Sequence, residues 1–208
     1  IVGLAKSQGI EVRPIPVKQM NKYDLEVPHQ GVIALVSAVQ FKELGEVLQE
    51  TTHEVPLLIL TDGVEDPHNM GAIIRTAECA GAHGVIIPKR RAAGLTFSVG
   101  KASAGAYEYM PVARVTNIPT TIDELKEKGL WIYGADMDGE TYCTSDLKGA
   151  CALVIGSEGK GLQRLVKEKC DVILSLPMLG KINSLNASVA AGVLMYEFTR
   201  QRLEIKAK

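Results

Sequence analysis

The chain carries almost no net charge. Its 23 Lys and Arg stand against 24 Asp and Glu, a balance of −1, so nothing global marks it as a binder of polyanions. Paired cysteines are absent. Cys79, Cys143, Cys151 and Cys170 show neither a CxxC motif nor zinc-like spacing. Cys79 and Cys151 lie in apolar sequence and read as small core residues. The spacing of His29, His53, His68 and His83 suggests no metal site. No uncharged run reaches membrane-spanning length and no signal peptide is visible, which with reduced cysteines points to the cytoplasm. The first residues, Ile1-Val2-Gly3, include no Met, so the chain reads as starting inside a longer protein or lacking its first residues. One absence is local. Residues 79–107 contain no acidic side chain, yet Lys89, Arg90, Arg91 and Lys101 fall inside that window. Such a patch can hold phosphates on a neutral protein, and it can equally be a solvated loop.

What is present is ordinary globular material, 46% hydrophobic and 23% charged, enough for a sizeable core with a small appendage. Residues 1–30 differ from the rest. They read as a helix end, a turn at Gly9, a short strand, a second helix starting near residue 17, and a polar linker containing Pro28 and His29. That piece is too short to bury its own core and reads as the remnant of a small N-terminal domain. From residue 31 to 208 the pattern alternates. Strands are expected at 32–36, 56–61, 84–88, 109–115, 130–134, 152–156 and 172–177. Helices are expected at 41–50, 69–80, 98–106, 122–128, 162–169 and 186–202. Continuous apolar strands alternating with helices predict an α/β fold, a mostly parallel sheet covered on both faces. Ligands in such sheets bind where the strands end.

Three strand-to-helix junctions carry polar residues that an apolar core does not need. The first runs from Thr61-Asp62-Gly63 through Asp66-Pro67-His68-Asn69 to Gly71 and Arg75. Asn69 fits a helix N-cap, and Arg75 offers a permanent charge with a planar fork suited to phosphate, or is a plain exposed helix charge. The second is Gly156-Ser157-Glu158-Gly159-Lys160-Gly161-Leu162. It is glycine-rich, but the spacing is neither the dinucleotide fingerprint nor a Walker loop, and Glu158 would repel a phosphate. A ligand with a cation or sugar hydroxyls fits better. The third runs from Leu176-Pro177-Met178 through Gly180 to Ser184-Leu185-Asn186 and Ser188. One N-cap explains one of its polar side chains but not three.

In this order the junctions resemble the SpoU/TrmH family of RNA ribose 2′-O-methyltransferases, of the SPOUT class. Its motifs fall on Asn69, Gly71 and Arg75; on Gly156, Glu158, Gly161 and Leu162; and on Pro177, Met178, Gly180, Ser184, Leu185, Asn186, Ser188 and Ala190. The resemblance covers residues 31–202. Within the family the chain looks most like the RlmB-type enzymes, which methylate a guanosine ribose in 23S ribosomal RNA and carry a small N-terminal RNA-binding domain. The resemblance implies a deep trefoil knot at the C-terminal end of the sheet, a homodimer, and S-adenosylmethionine as methyl donor without a metal. It implies Arg75 as the central catalytic residue, with Asn69, Glu158, Ser184 and Asn186 positioning Arg75 and the ribose. It places the cofactor against Gly134, Ala135, Ile155, Gly156, Ser157, Leu176, Met178, Ser184 and Leu185. RNA would lie on Arg75, Lys89, Arg90, Arg91 and Lys101. A transfer-RNA substrate is the nearest alternative, and a knotted RNA-binding factor without catalysis the next. The absent dinucleotide fingerprint argues against a Rossmann-type oxidoreductase.

Overall fold

Strands buried on both faces need helices on both faces, and the computed structural model, which describes residues 1–23, 28–37, 39–51 and 55–205, has that form. The chain divides into two compact units, Ile1–Ala38 and Val39–Lys208. The first unit contains two short helices, α1 (Val2–Ser7) and α2 (Val17–Met20), with Gly9 supplying the left-handed turn after α1 at φ 70°. No strand forms in residues 10–16. Nor is there one in residues 32–36, where Val32, Leu35 and Val36 are exposed. An apolar run becomes a strand only when a neighbour takes its backbone groups, and none does so here.

The second unit holds α3 (Leu44–Glu50), β1 (Leu57–Asp62), α4 (Pro67–Cys79), β2 (Gly84–Pro88), α5 (Phe97–Ala102), β3 (Val112–Val115), α6 (Ile118–Glu127), β4 (Trp131–Thr141), β5 (Cys151–Gly156), α7 (Arg164–Lys169), β6 (Val172–Ser175) and α8 (Ala187–Arg202). The six strands make one sheet in the order β3-β2-β1-β5-β4-β6, and every pairing is parallel. The period-2 alternation of β1 then sorts the core into two layers. Leu57 and Ile59 face α4, α5 and α8 through Met70, Ile73, Val99, Leu194 and Phe198. Leu58 and Leu60 face α3, α6 and α7 through Val47, Ile122, Leu125 and Val166. Each such fully buried side chain stabilises the fold by about 1.5–3 kcal/mol before chain entropy is subtracted.

Phe198 also meets the Tyr133 ring edge-on, with centroids 5.4 Å apart. The Tyr133 hydroxyl donates to the Asp146 carbonyl at 2.6 Å, and burial pushes its pKa up to about 12. Cys151 is buried as expected, its thiol pushed up to about 11 by desolvation, whereas Cys79 is exposed on the outer face of α4.

The expected 98–106 helix is shorter. It stops at Ala102 because Ala104 and Gly105 turn left-handed, at φ 51° and 84°, and one 3-10 turn follows. Helix α7 starts two residues later than expected, because Gln163 gives its N–H and its side-chain amide to the Asp62 carboxylate across the sheet end. The largest departure is β4, which continues to Thr141. Its register against β6 slips between Ala135 and Glu140, and a Cβ on Gly139 would lie 2.3 Å from the Ile173 carbonyl oxygen. That close approach, open only to glycine, lets a polar stretch rejoin the ladder.

Candidate active site

The three junctions converge at the C-terminal ends of the strands. Asp66 caps α4, its two carboxylate oxygens accepting from the His68 and Asn69 amides, so Asn69 is not the cap that its position suggested. Its side chain is freed for another use. It is buried and donates from Nδ2 to Glu158 Oε1 at 2.8 Å.

Glu158 sits in a tight loop. Ser157 and Gly161 bond to each other in both directions, at 3.1 and 2.9 Å, and Gly159 and Gly161 adopt φ 76° and 63°. A Cβ on Gly156 would lie 2.2 Å from the Gly161 carbonyl carbon and 2.4 Å from the Leu162 nitrogen, so only glycine fits there.

Asn186 is the N-cap of α8, its Oδ1 accepting from the Ser188 and Val189 amides and from the Ser188 hydroxyl. That duty fixes the orientation of the amide. Its Nδ2 must then point away from the helix, and it reaches Glu158 Oε1 at 2.6 Å and Asn69 Oδ1 at 2.9 Å. Three residues from three junctions close a hydrogen-bonded triangle. Two amide donors converge on Oε1, and among the described residues Oε2 of Glu158 has no partner.

Beside the triangle opens a cavity of about 750 Å³, lined by β-strand ends, the 176–187 segment and the start of α8. Ala135, Ile155, Gly156, Ser157, Leu176, Met178, Ser184 and Leu185 all line it. The walls are apolar where Ile155, Leu174 and Leu194 contribute and carry charges of both signs, at Asp136, Asp138 and Glu158 and at Lys160 and Lys167. A volume of this order suits a nucleoside-sized ligand. Gly134 is the exception among the expected cofactor residues. Its missing Cβ faces the other layer, between Cys170, Leu162 and Ile173, so its smallness serves packing. Sequence reading passed over Asp136 and Lys167 in this wall. Lys167 bonds to Asp136 at 3.0 Å and to Asp138 at 3.3 Å, which raises its pKa and keeps it charged. The signal was a strand that keeps going through acidic residues, which hydropathy hides.

Arg75 lies elsewhere. It is exposed on α4, makes no hydrogen bond among the described residues, and does not line the cavity beside the triangle. Six positions along a helix is a rotation of about 240°, so Asn69 and Arg75 cannot share a face. Lys89, Arg90 and Lys101 are likewise exposed and do not line that cavity, while Arg91 lines a second one. His53 falls outside the described residues. Among those described, no group of three or more His, Cys, Asp and Glu is placed to hold a metal, and no helix is long and apolar enough to cross a membrane.

Comparison with known proteins bears on this geometry. The profile of the SpoU rRNA methylase family matches residues 56–196. The chain is 52% identical over 205 residues to a TrmH-family tRNA/rRNA methyltransferase of Bacillus subtilis, covering 97% of this chain and 82% of that one. It is 47% identical over 204 residues to the corresponding protein of Staphylococcus haemolyticus, with the same coverages. Among solved structures it is similar to the SpoU methyltransferase AviRb from Streptomyces viridochromogenes in complex with AdoMet. There the TM-score is 0.73 and the identity 30%, over 79% of this chain and 66% of that one. The chain therefore spans just under two thirds of that solved protein.

Proposed function

The chain belongs to the SpoU rRNA methylase family, and from that premise we propose that it transfers the methyl group of S-adenosylmethionine to a ribose 2′-hydroxyl, that of a guanosine in 23S ribosomal RNA. The observation that carries the reading is the Asn69–Glu158–Asn186 triangle at the mouth of a nucleoside-sized cavity. The cavity's residues fit the cofactor. Apolar side chains flank strand-end backbone groups that can meet an adenine ring, and the Glu158 carboxylate suits a cationic ligand, whereas Asp136 is already paired with Lys167. Ala135, Ile155, Gly156, Ser157, Leu176, Met178, Ser184 and Leu185 would hold it; bound there, it supplies an already activated methyl group.

The chain's own residues then position the acceptor. Glu158 is fixed by two amides on one oxygen, which leaves the other to accept from a ribose hydroxyl. Ser184, whose hydroxyl has no partner among the described residues, offers a second polar contact. Holding hydroxyl and methyl carbon in contact accounts for much of the acceleration, because the donor needs no further activation.

Arg75 enters through a second copy of the chain. A Cβ on Gly192 of α8 would lie 3.6 Å from Thr76, so α4 and α8 are close neighbours. Beyond that contact α8 exposes Val189, Val193 and Tyr196. We take this apolar stripe as a homodimer surface that brings Arg75 to the partner's cavity. The exposed Lys89-Arg90-Arg91 run, with Lys101, supplies phosphate contacts that give affinity without sequence choice. The trefoil knot belongs to the same reading. A separate unit at Ile1–Ala38 supports ribosomal over transfer RNA, as part of an appended RNA-binding domain.

The test is methyl transfer from labelled S-adenosylmethionine to unmodified 23S ribosomal RNA and to unmodified transfer RNA, with Arg75→Ala and Glu158→Gln in parallel. Label is expected on 23S RNA, in an alkali-resistant dinucleotide, and is expected to fall about 100-fold in both variants. Label on transfer RNA alone overturns the ribosomal substrate. Label on a base overturns the ribose target.

A further inference from the structure

A second cavity, of about 450 Å³, shares Ser157, Glu158, Lys160 and Gly161 with the first and is lined besides by Asn69 and Gln163. Its remaining walls are the loops that follow β1 and β2. Those two loops are tied together, since the Ala93 amide donates to the Val64 carbonyl at 3.0 Å. Gly63 closes the floor, a Cβ there lying 3.4 Å from the Ser157 Cβ. Three charged side chains line this space without partners among the described residues: Glu65, Arg91 and Lys160. A carboxylate and a guanidinium share one cavity and form no ion pair with each other. Arg91 is also held left-handed, at φ 57°, a conformation that a non-glycine residue keeps only where its surroundings impose it.

We propose that this cavity receives the target nucleotide, and that Glu65 selects guanine while Arg91 and Lys160 take the phosphates on either side. The inference rests on the methyl-transfer reading above and deepens it. With the methyl donor in the first cavity, the second is the adjoining space from which an acceptor can reach it past Glu158. The charges fit a nucleotide: two cations for phosphate oxygens and one free carboxylate for a base. Among the four bases, guanine alone presents two adjacent N–H donors, at N1 and the 2-amino group, which a carboxylate can accept together. Adenine presents an acceptor at N1 and would be repelled. The neighbouring Asp66 cannot serve, because both of its oxygens cap α4.

The experiment is a titration followed by amide NMR. Protein saturated with S-adenosylhomocysteine is titrated with 5′-GMP, 5′-IMP and 5′-AMP, reading the amides of Gly63, Val64 and Gly161. GMP is expected to move these signals and to bind at least about fivefold more tightly than IMP, which lacks the 2-amino group, and than AMP. Glu65→Gln should remove the GMP preference over IMP. Arg91→Ala should weaken all three nucleotides alike. Neither change should alter S-adenosylhomocysteine affinity. GMP shifts absent from these amides, equal binding of GMP and AMP, or an unchanged preference in Glu65→Gln would overturn the assignment. Because the readout is binding, it stands apart from methyl transfer: failure of the labelling experiment with GMP selectivity intact would refute the reaction and leave the guanine site.

Discussion

Asn186 does two things with one amide: its oxygen caps α8 and its nitrogen holds Glu158 and Asn69. The two functions separate by substitution. Asp is as good a cap as Asn, so Asn186→Asp is expected to keep the melting free energy within about 1 kcal/mol of wild type. It removes the Nδ2 donor and sets a second carboxylate against Glu158, so methyl transfer should fall about 100-fold. A melt and an initial-rate assay on the same preparation check both halves. Glu197 illustrates a purely structural charge. It is buried on α8 and accepts from Arg200 Nε and Nη2 at 2.7 Å and from Gln201 at 2.8 Å. The Arg200 hydrogen bonds lower its pKa. A carboxyl depressed in the folded state contributes stability that is fully present above its unfolded value of about 4.3, and that contribution is lost as pH falls through the folded value. With Arg200 half in solvent, Glu197→Gln should lower stability at pH 7 by only about 1 kcal/mol. The difference from wild type should close as denaturation is repeated at progressively more acid pH.

At the scale of elements, the glycines at the second and third junctions are not equivalent. Gly156 stands against backbone on the facing limb of its loop, whereas nothing lies within 4 Å of a Cβ on Gly180. Gly156→Ala is therefore expected to destabilise by about 1–3 kcal/mol and to abolish thermal protection by S-adenosylhomocysteine, while Gly180→Ala leaves both unchanged. Thermal melts with and without the ligand decide. Which elements were legible in the sequence follows the same physics. β1, β2 and β5 announce themselves because burial on both faces leaves an unbroken apolar run. Beyond Ala135, β4 does not, since its tail carries Asp136, Asp138 and Glu140 and depends on Gly139 meeting a carbonyl far away in sequence. Residues 32–36 fail in the opposite sense: the pattern is apolar, but a strand is a property of a pair. At the site, the types and order of Asn69, Glu158 and Asn186 were readable. The triangle was not, because side-chain geometry across 89 and 117 residues leaves no local trace.

At the scale of the whole molecule, the parallel order β3-β2-β1-β5-β4-β6 brings every junction to one end, which is why a single chain can build two adjoining cavities there. It leaves the Val189–Val193–Tyr196 stripe of α8 facing outward. On the homodimer proposed above, Tyr196→Glu is expected to give a monomer in sedimentation and to remove methyl transfer, with the melt of the monomer still cooperative. A monomeric wild type, or a fully active monomeric variant, would refute the shared-site arrangement.

The triangle also has a history in time. Its first member, Asn69, leaves the ribosome long before its last, Asn186, and 117 positions separate them. At a translation rate of about 5–20 residues per second, roughly 6–23 s pass between the two. Through that interval the growing chain can pair β1 with β2 and bury much of one layer, yet Glu158 and Asn69 wait for the amide that locks them. On the function proposed above, a chain still lacking that amide is expected to be inactive toward RNA.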